Sequence, residues 1–286
     1  MSEAATSNMT PPVETPSGKG SGDENFPVGS WLLPAELRPY VAAYYAFARA
    51  IDDIADNPNL RSGVKIVRLD GFAAALTGLN DDPQFEKAHA LRTSLEETGV
   101  TAQHGLDLIS AFKQDAVKLR YTDWAELMDY CDRSASPVGR YLLDLHGESV
   151  SLYPLSDALC NALQVINHLQ DCADDYAALN RVYLPEEWMA AEGSNVVDLA
   201  QTKCTPALRR VLDHCLDGTD KLLDEAHKLP KVMEHKRLAA ETAVIVSIAE
   251  SLSKKLRRQD PLAKRVVLKT PGFAFAAARG LLRYWI

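Results

Sequence analysis

The chain has 286 residues, 47% of them hydrophobic and 7% aromatic, with a formal charge of −8. That length supports one large domain or two small ones, and the abundance of Ala and Leu favours helix. The negative balance argues against a general nucleic-acid binder. No uninterrupted apolar run of about 18 residues is present to span a membrane, and the N-terminus lacks a secretory pattern. The five cysteines, odd in number and without a CxxC pair, read as reduced thiols of a cytoplasmic protein.

Residues 1–22 are rich in Ser, Thr, Pro, Gly and Glu and are expected to be a disordered tail, leaving 23–286 as a single domain. Order is expected from Asn25-Phe26-Pro27-Val28, and Leu33-Pro34 leads into a helix over roughly Pro39–Ala55 that Asn57-Pro58 ends. Apolar residues at helical spacing predict a helix around Val64–Leu76, then one over Phe85–Leu95 capped by Gly99, then one over Leu106–Val117. Thr122 or Asp123, followed by Glu126, predicts a capped start to a helix running through Leu145. Longer helices follow over 156–179, Pro206–Leu229 and Leu238–Leu256, with a last amphipathic segment over Phe273–Tyr284. No alternating strand pattern or solenoid period occurs, so the fold class is all-α, a helical bundle around something.

What it surrounds is announced by charge. On the first helix Tyr45, Arg49, Asp52 and Asp56 share one face, and Asp53 lies beside it. On the helix over 156–179, Gln164, Asn167, Asp171 and Asp175 share another, beside Gln170 and Asp174. Carboxylates one turn apart on apolar helices repel one another and are costly to bury, and a divalent cation removes both problems. An oxygen-only carboxylate cage suits Mg²⁺, which takes one or two protein carboxylates per ion and completes its octahedron with water and phosphate oxygens. The expected ligand is therefore phosphorylated. Arg49, with Tyr45, Gln164 and Asn167 as neutral donors, completes a diphosphate site.

Together with Tyr130-Cys131, Val138-Gly139 and Arg181-Val182-Tyr183-Leu184-Pro185, these segments resemble the squalene/phytoene synthase family over residues 24–285. The resemblance implies the class I isoprenoid synthase helical bundle around a central cavity, a prenyl diphosphate substrate and Mg²⁺. It implies metal ligation by Asp52, Asp53, Asp56, Asn167, Asp171 and Asp175, and catalysis by the aspartates at 52, 56, 171 and 175 with Tyr45 and Arg49. It assigns substrate contacts to Asn25, Phe26, Tyr45, Arg49, Tyr130, Ala135, Gly139, Gln164, Asn167 and Arg181. Tyr45 and Tyr130 would stabilise a cation through their ring faces, hydrogen-bond the diphosphate or water, or be ordinary buried tyrosines. Ala135 and Gly139 would make room for a prenyl chain or for close helix packing.

Within the family, the segments Glu24–Val28, Phe112-Lys113-Gln114-Asp115 with Arg120-Tyr121, and Ser134–Arg140 are most similar to the hydroxysqualene-forming branch of hopanoid pathways. That implies presqualene diphosphate as substrate, with water capturing the cation. The alternatives are condensation of two farnesyl diphosphates to presqualene diphosphate, squalene or a phytoene-like product, and a non-catalytic prenyl-diphosphate-binding subunit. Gln170 stands where condensing members often carry Arg, which fits an enzyme handling one diphosphate. From Lys254 onward Lys and Arg dominate, with Asp260 as the lone acid, beside Phe273, Phe275, Leu281, Leu282 and Trp285. That segment is expected to contact an anionic membrane surface from the cytoplasmic side, to be a solvated basic face, or to put a cation into the diphosphate site. Other enzymes of the pathway are the expected protein partners.

Overall fold

A computed structural model of the chain describes residues 13–14 and 32–285. Asn25 and Phe26, and most of the tail expected over 1–22, lie outside the described residues. Val13 and Glu14 belong to that tail, yet Val13 is buried and its carbonyl accepts from Arg68 Nη1 at 2.8 Å. The described residues form helices, short 3₁₀ turns and one isolated parallel bridge between Tyr121 and Pro185.

The first helix, α1 (Arg38–Ala55), begins with Pro39, whose missing N–H is not needed there. Lys65 Nζ donates to the Ala55 carbonyl at 2.6 Å, a buried cation at the negative end of the helix. Lys65 lies on α2 (Ser62–Leu76), and α3 (Glu86–Thr98) closes on Gly99 at φ 72°, the left-handed cap its sequence predicts. Next comes α4 (Gln103–Asp115).

The helix expected to run unbroken to Leu145 is two helices, α5 (Trp124–Ser134) and α6 (Ser136–Leu145). Pro137 has no N–H to bond the Arg133 carbonyl, and the chain bends at Ala135 (φ −127°). The cap at Asp123 is as expected, its carboxylate accepting from the Glu126 N–H at 2.8 Å. The long α7 (Tyr153–Leu179) starts a turn earlier than its sequence pattern and ends on Asn180 at φ 52°. The chain continues through an unanticipated short α8 (Glu186–Glu192), α9 (Pro206–Ala226), a single turn α10 (Leu229–Val232), α11 (Lys236–Leu256) and α12 (Thr270–Trp285).

Two apolar cores result. One is built by α5, α7, α9 and α11, the other by α1–α4, α6 and the first turn of α11. Glu148 accepts from the backbone N–H groups of Glu234 and His235 at 3.1 and 2.7 Å, which ties the start of α11 to the start of α7. Where α6 crosses α7, a Cβ on Gly139 would stand 2.3 Å from Ser156 Oγ and 2.6 Å from Cys160 Sγ. Gly139→Ala is expected to push the helices apart and cost about 1–3 kcal/mol, read as a lower denaturant midpoint. An unchanged midpoint would show that the contact yields freely.

Candidate active site

A cavity of about 260 Å³ lies between the cores, walled by α1, α6, α7 and α11. Val41, Tyr44, Phe112, Val138, Leu142, Leu159, Leu163, Leu238 and Ile245 make most of its surface apolar. Among the described residues its charged lining is Arg49, Asp52 and Glu241. Tyr45, Ala135, Gly139, Gln164 and Asn167 also line it. Gly139 both lines the cavity and packs tightly on α7.

The C-terminal ends of α1 and α7 carry the aspartates, and each motif meets arginine. Arg49 donates from Nε and Nη2 to Asp53 Oδ1 at 3.0 and 2.6 Å and pairs with Asp52 at 3.1 Å. Asp53 is buried and turned to Arg49, so it holds the guanidinium in place. Arg181, 4% exposed, donates to Asp56 Oδ1 at 2.8 Å and so bridges from the end of α7 to the end of α1. Arg265 forks onto both oxygens of Asp171. Asp174 is exposed on the outer side of its helix.

Arg181 is itself seated on a buried polar network. Its Nη2 donates to the Asp115 carbonyl at 3.1 Å and its Nη1 to Tyr183 Oη at 3.1 Å. Tyr130 and Tyr183 donate to the two Asp115 carboxylate oxygens at 2.6 and 3.1 Å. His168 stacks on Tyr183, ring centroids 3.5 Å apart, and its burial, with Arg181 nearby, lowers its pKa to about 3, so it is neutral. Tyr130 thus lies beneath the aspartates with its hydroxyl committed to Asp115 and is not among the residues lining the cavity. Arg181 likewise acts through Asp56 instead of facing the cavity.

Burial raises three of the carboxyls, and their crowding adds to it. Asp52 is pushed well above the usual carboxylate range by desolvation and then by Asp56, with Arg49 opposing. Asp175 is raised to about 7 by desolvation, then by Asp56 and Asp171. Asp115 is raised to about 6 by desolvation, against the pull of Arg181 and Tyr130. The two motifs therefore feel each other although about 115 residues separate them.

Among the described residues no three Asp, Glu, His or Cys side chains converge closely enough to hold one ion by themselves. One expectation changes: the second motif is not short of positive charge. Gln170 is buried and its side-chain amide donates to the Val266 carbonyl, which anchors the segment that delivers Arg265 to Asp171. The basic segment after α11 thus does put a cation at the aspartates, one of the three roles its composition allowed. Sequence pattern did not single out Lys65 or Glu241 or give Asp115 a role; all three are polar groups within apolar helical periods, which is the signal that would have found them.

The squalene/phytoene synthase family model matches residues 20–271. A hydroxysqualene synthase of Zymomonas mobilis is 45% identical, the match covering 93% of this chain and 91% of the relative. One of Rhodopseudomonas palustris is 44% identical over 94% and 91%. The crystal structure of a squalene synthase from Alicyclobacillus acidocaldarius superposes with a TM-score of 0.71 at 32% identity, over 81% of this chain and 87% of that one. A dehydrosqualene synthase crystallised with a ligand shares the fold, with a TM-score of 0.76 at 21% identity over 91% and 90%. The paired aspartate ends over an apolar cavity and these likenesses agree: the chain is an enzyme of the squalene/phytoene synthase family.

Proposed function

We propose that this chain converts presqualene diphosphate and water to hydroxysqualene and diphosphate. The carbon–oxygen bond to diphosphate breaks and its electron pair leaves with the diphosphate. A water oxygen then adds to the rearranged carbocation and releases a proton. The observation that supports this best is a cluster of aspartates and arginines whose Arg49 and Asp52 open onto a largely apolar cavity. The chain carrying it is 41–45% identical to relatives named hydroxysqualene synthase.

The donor set suits Mg²⁺. It is oxygen-only, and burial, then the neighbouring carboxylates, push Asp52 and Asp175 toward their protonated forms, which a bound cation would oppose. Mg²⁺ takes one or two protein carboxylates per ion, so this donor set suits ions shared between single aspartates and diphosphate oxygens. Asp52, Asp56, Asp171 and Asp175 would hold them, with Asn167 beside the second pair; bound Mg²⁺ supplies Lewis-acid neutralisation of the leaving group. Arg49 and Arg265, now on carboxylates, are placed to turn to phosphate oxygens. Tyr45, Gln164 and Asn167 orient the diphosphate end, and the apolar walls keep bulk water from the cation.

Purified protein is given presqualene diphosphate or farnesyl diphosphate separately, with Mg²⁺. Hydroxysqualene from the first and no C30 product from the second is expected. Product from farnesyl diphosphate alone overturns the proposal in favour of condensation of two farnesyl diphosphates. That second reading draws on Arg265, a cation at the second motif suited to a second diphosphate.

A pH dependence follows. Asp175 and Asp115 hold protons in the fold up to about 7 and about 6, whereas the unfolded chain releases them near about 4. Their contribution to stability is full below about pH 4 and falls as pH rises through 7. The rise in thermal midpoint on adding Mg²⁺ with inorganic diphosphate is expected to be larger at pH 8 than at pH 6. An equal rise at both would remove Asp175 from the metal site.

A further inference from the structure

The last helix, α12, has an outer face that nothing among the described residues covers. Its inner face is fixed by Ala276 and Gly280, both buried one turn apart. At Gly280 a Cβ would stand 2.5 Å from the Ala243 carbonyl oxygen and 2.9 Å from Val244 Cα, so the two helices approach to backbone contact. Arg279 adds a lock, donating to the Ser247 carbonyl and to Glu250 at 3.0 and 2.7 Å. With rotation about its axis set in this way, α12 turns Pro271, Phe275, Ala278, Leu282 and Trp285 outward. At 3.6 residues per turn they fall within an arc of about 80°. Phe275, Leu282 and Trp285 are 69%, 61% and 76% exposed, which makes them the largest run of exposed bulky apolar side chains on one described element.

Charge around the stripe has one sign. After Asp260 the described chain carries no acid, while Lys264, Arg265, Lys269, Arg279 and Arg283 follow. Lys264 and Lys269 are exposed at the N-terminal end of α12, and Lys254 and Arg258 at the adjoining end of α11 are exposed too. Among the described residues none of these four has an ion-pair partner. The acid beneath, Glu250, is taken up by His227, Arg279 and Arg283. No helix among the described residues is long and apolar enough to cross a membrane, so α12 lies along a surface if it meets one. The match to the family model ends at residue 271, at the first turn of this helix.

We propose that the outer face of α12 docks the enzyme on an anionic lipid surface, with Phe275, Leu282 and Trp285 entering the headgroup region and Lys264 and Lys269 on the lipid phosphates. An apolar stripe beside unpaired lysines is the combination that such a surface binds. A soluble protein partner would need acidic groups around an apolar centre. A second copy of this chain would set like charges against each other, since its own α12 is equally basic. The opposite side of α11 lines the cavity through Leu238, Glu241, Thr242 and Ile245, so docking would put lipid one helix layer from the cavity wall.

The full chain, without substrate or metal, is sedimented with vesicles of phosphatidylcholine alone or with about one third phosphatidylglycerol. Binding to the anionic vesicles is expected, at least tenfold tighter than to the neutral ones and weakened by salt. Phe275→Ser/Leu282→Ser/Trp285→Ser should lose at least tenfold while keeping wild-type circular dichroism and thermal midpoint. Lys264→Glu/Lys269→Glu should lose the preference for anionic lipid. Equal binding to both vesicles, or wild-type binding by the triple variant, overturns the proposal. So does a dimer in sedimentation analysis that the triple variant abolishes, which would assign the stripe to a second copy. Because no turnover is measured, the outcome is independent of the reaction proposed above.

Discussion

Asp52→Ala and Asp171→Ala are each expected to lower turnover at least about 100-fold while leaving the helical circular-dichroism signal intact. The two residues sit on different helices and meet only through the ligand they would share. Asp52 opens onto the cavity, and Asp171 stands beneath the Arg265 fork. Stability should move the other way for Asp52. Burial and Asp56 push its carboxyl up, so its charge is a cost to the folded chain when no cation is present. Arg49 keeps Asp53 when Asp52 is lost. The metal-free thermal midpoint of Asp52→Ala at pH 8 should therefore equal or exceed that of wild type, a trade of stability for function. Near-normal turnover in either variant would remove that aspartate from the site, and a lower metal-free midpoint for Asp52→Ala would show that its charge is compensated.

Arg181→Met is expected to be the most destabilising change at the site, by about 3–5 kcal/mol in chemical denaturation. It removes the cation from Asp115, a carboxyl with 4% exposure, and leaves the Asp115 carbonyl and Tyr183 hydroxyl without their donor. It also frees Asp56 at the end of α1. Asp115→Asn should restore much of that loss in the double variant, because it removes the uncompensated buried charge while its one amide oxygen still accepts from one of the two tyrosines. Additive losses in the double variant would show that Arg181 and Asp115 are not coupled, and that the network beneath the aspartates is an assembly of independent contacts.

Particular residues show how far the pattern of the sequence reached. The first helix was legible to within one residue, since apolar spacing and Pro39 act locally. So was the face that carries Tyr45, Arg49, Asp52 and Asp56, because helical geometry alone brings them together. The break at Ala135 was missed because the apolar period runs on through it, while Pro137 acts on the backbone. Gln170 reads locally as a missing cation, but the cation comes from Arg265, 95 positions later, over a distance no local pattern spans. For Tyr130 the sequence leaves a ligand contact and an ordinary buried tyrosine open, and only the fold gives its hydroxyl a partner, Asp115.

By itself the sequence determined the all-helical class, the two aspartate faces and the family, because each follows from spacing along one helix or from motif identity. Only the tertiary structure decided which cation answers each aspartate. It also seated Arg181 on Asp115, beneath the end of the first helix. The reason is physical. Helix periodicity is a property of neighbours three or four residues apart, whereas ion pairing and desolvation depend on which helix ends the two apolar cores bring within a few ångströms.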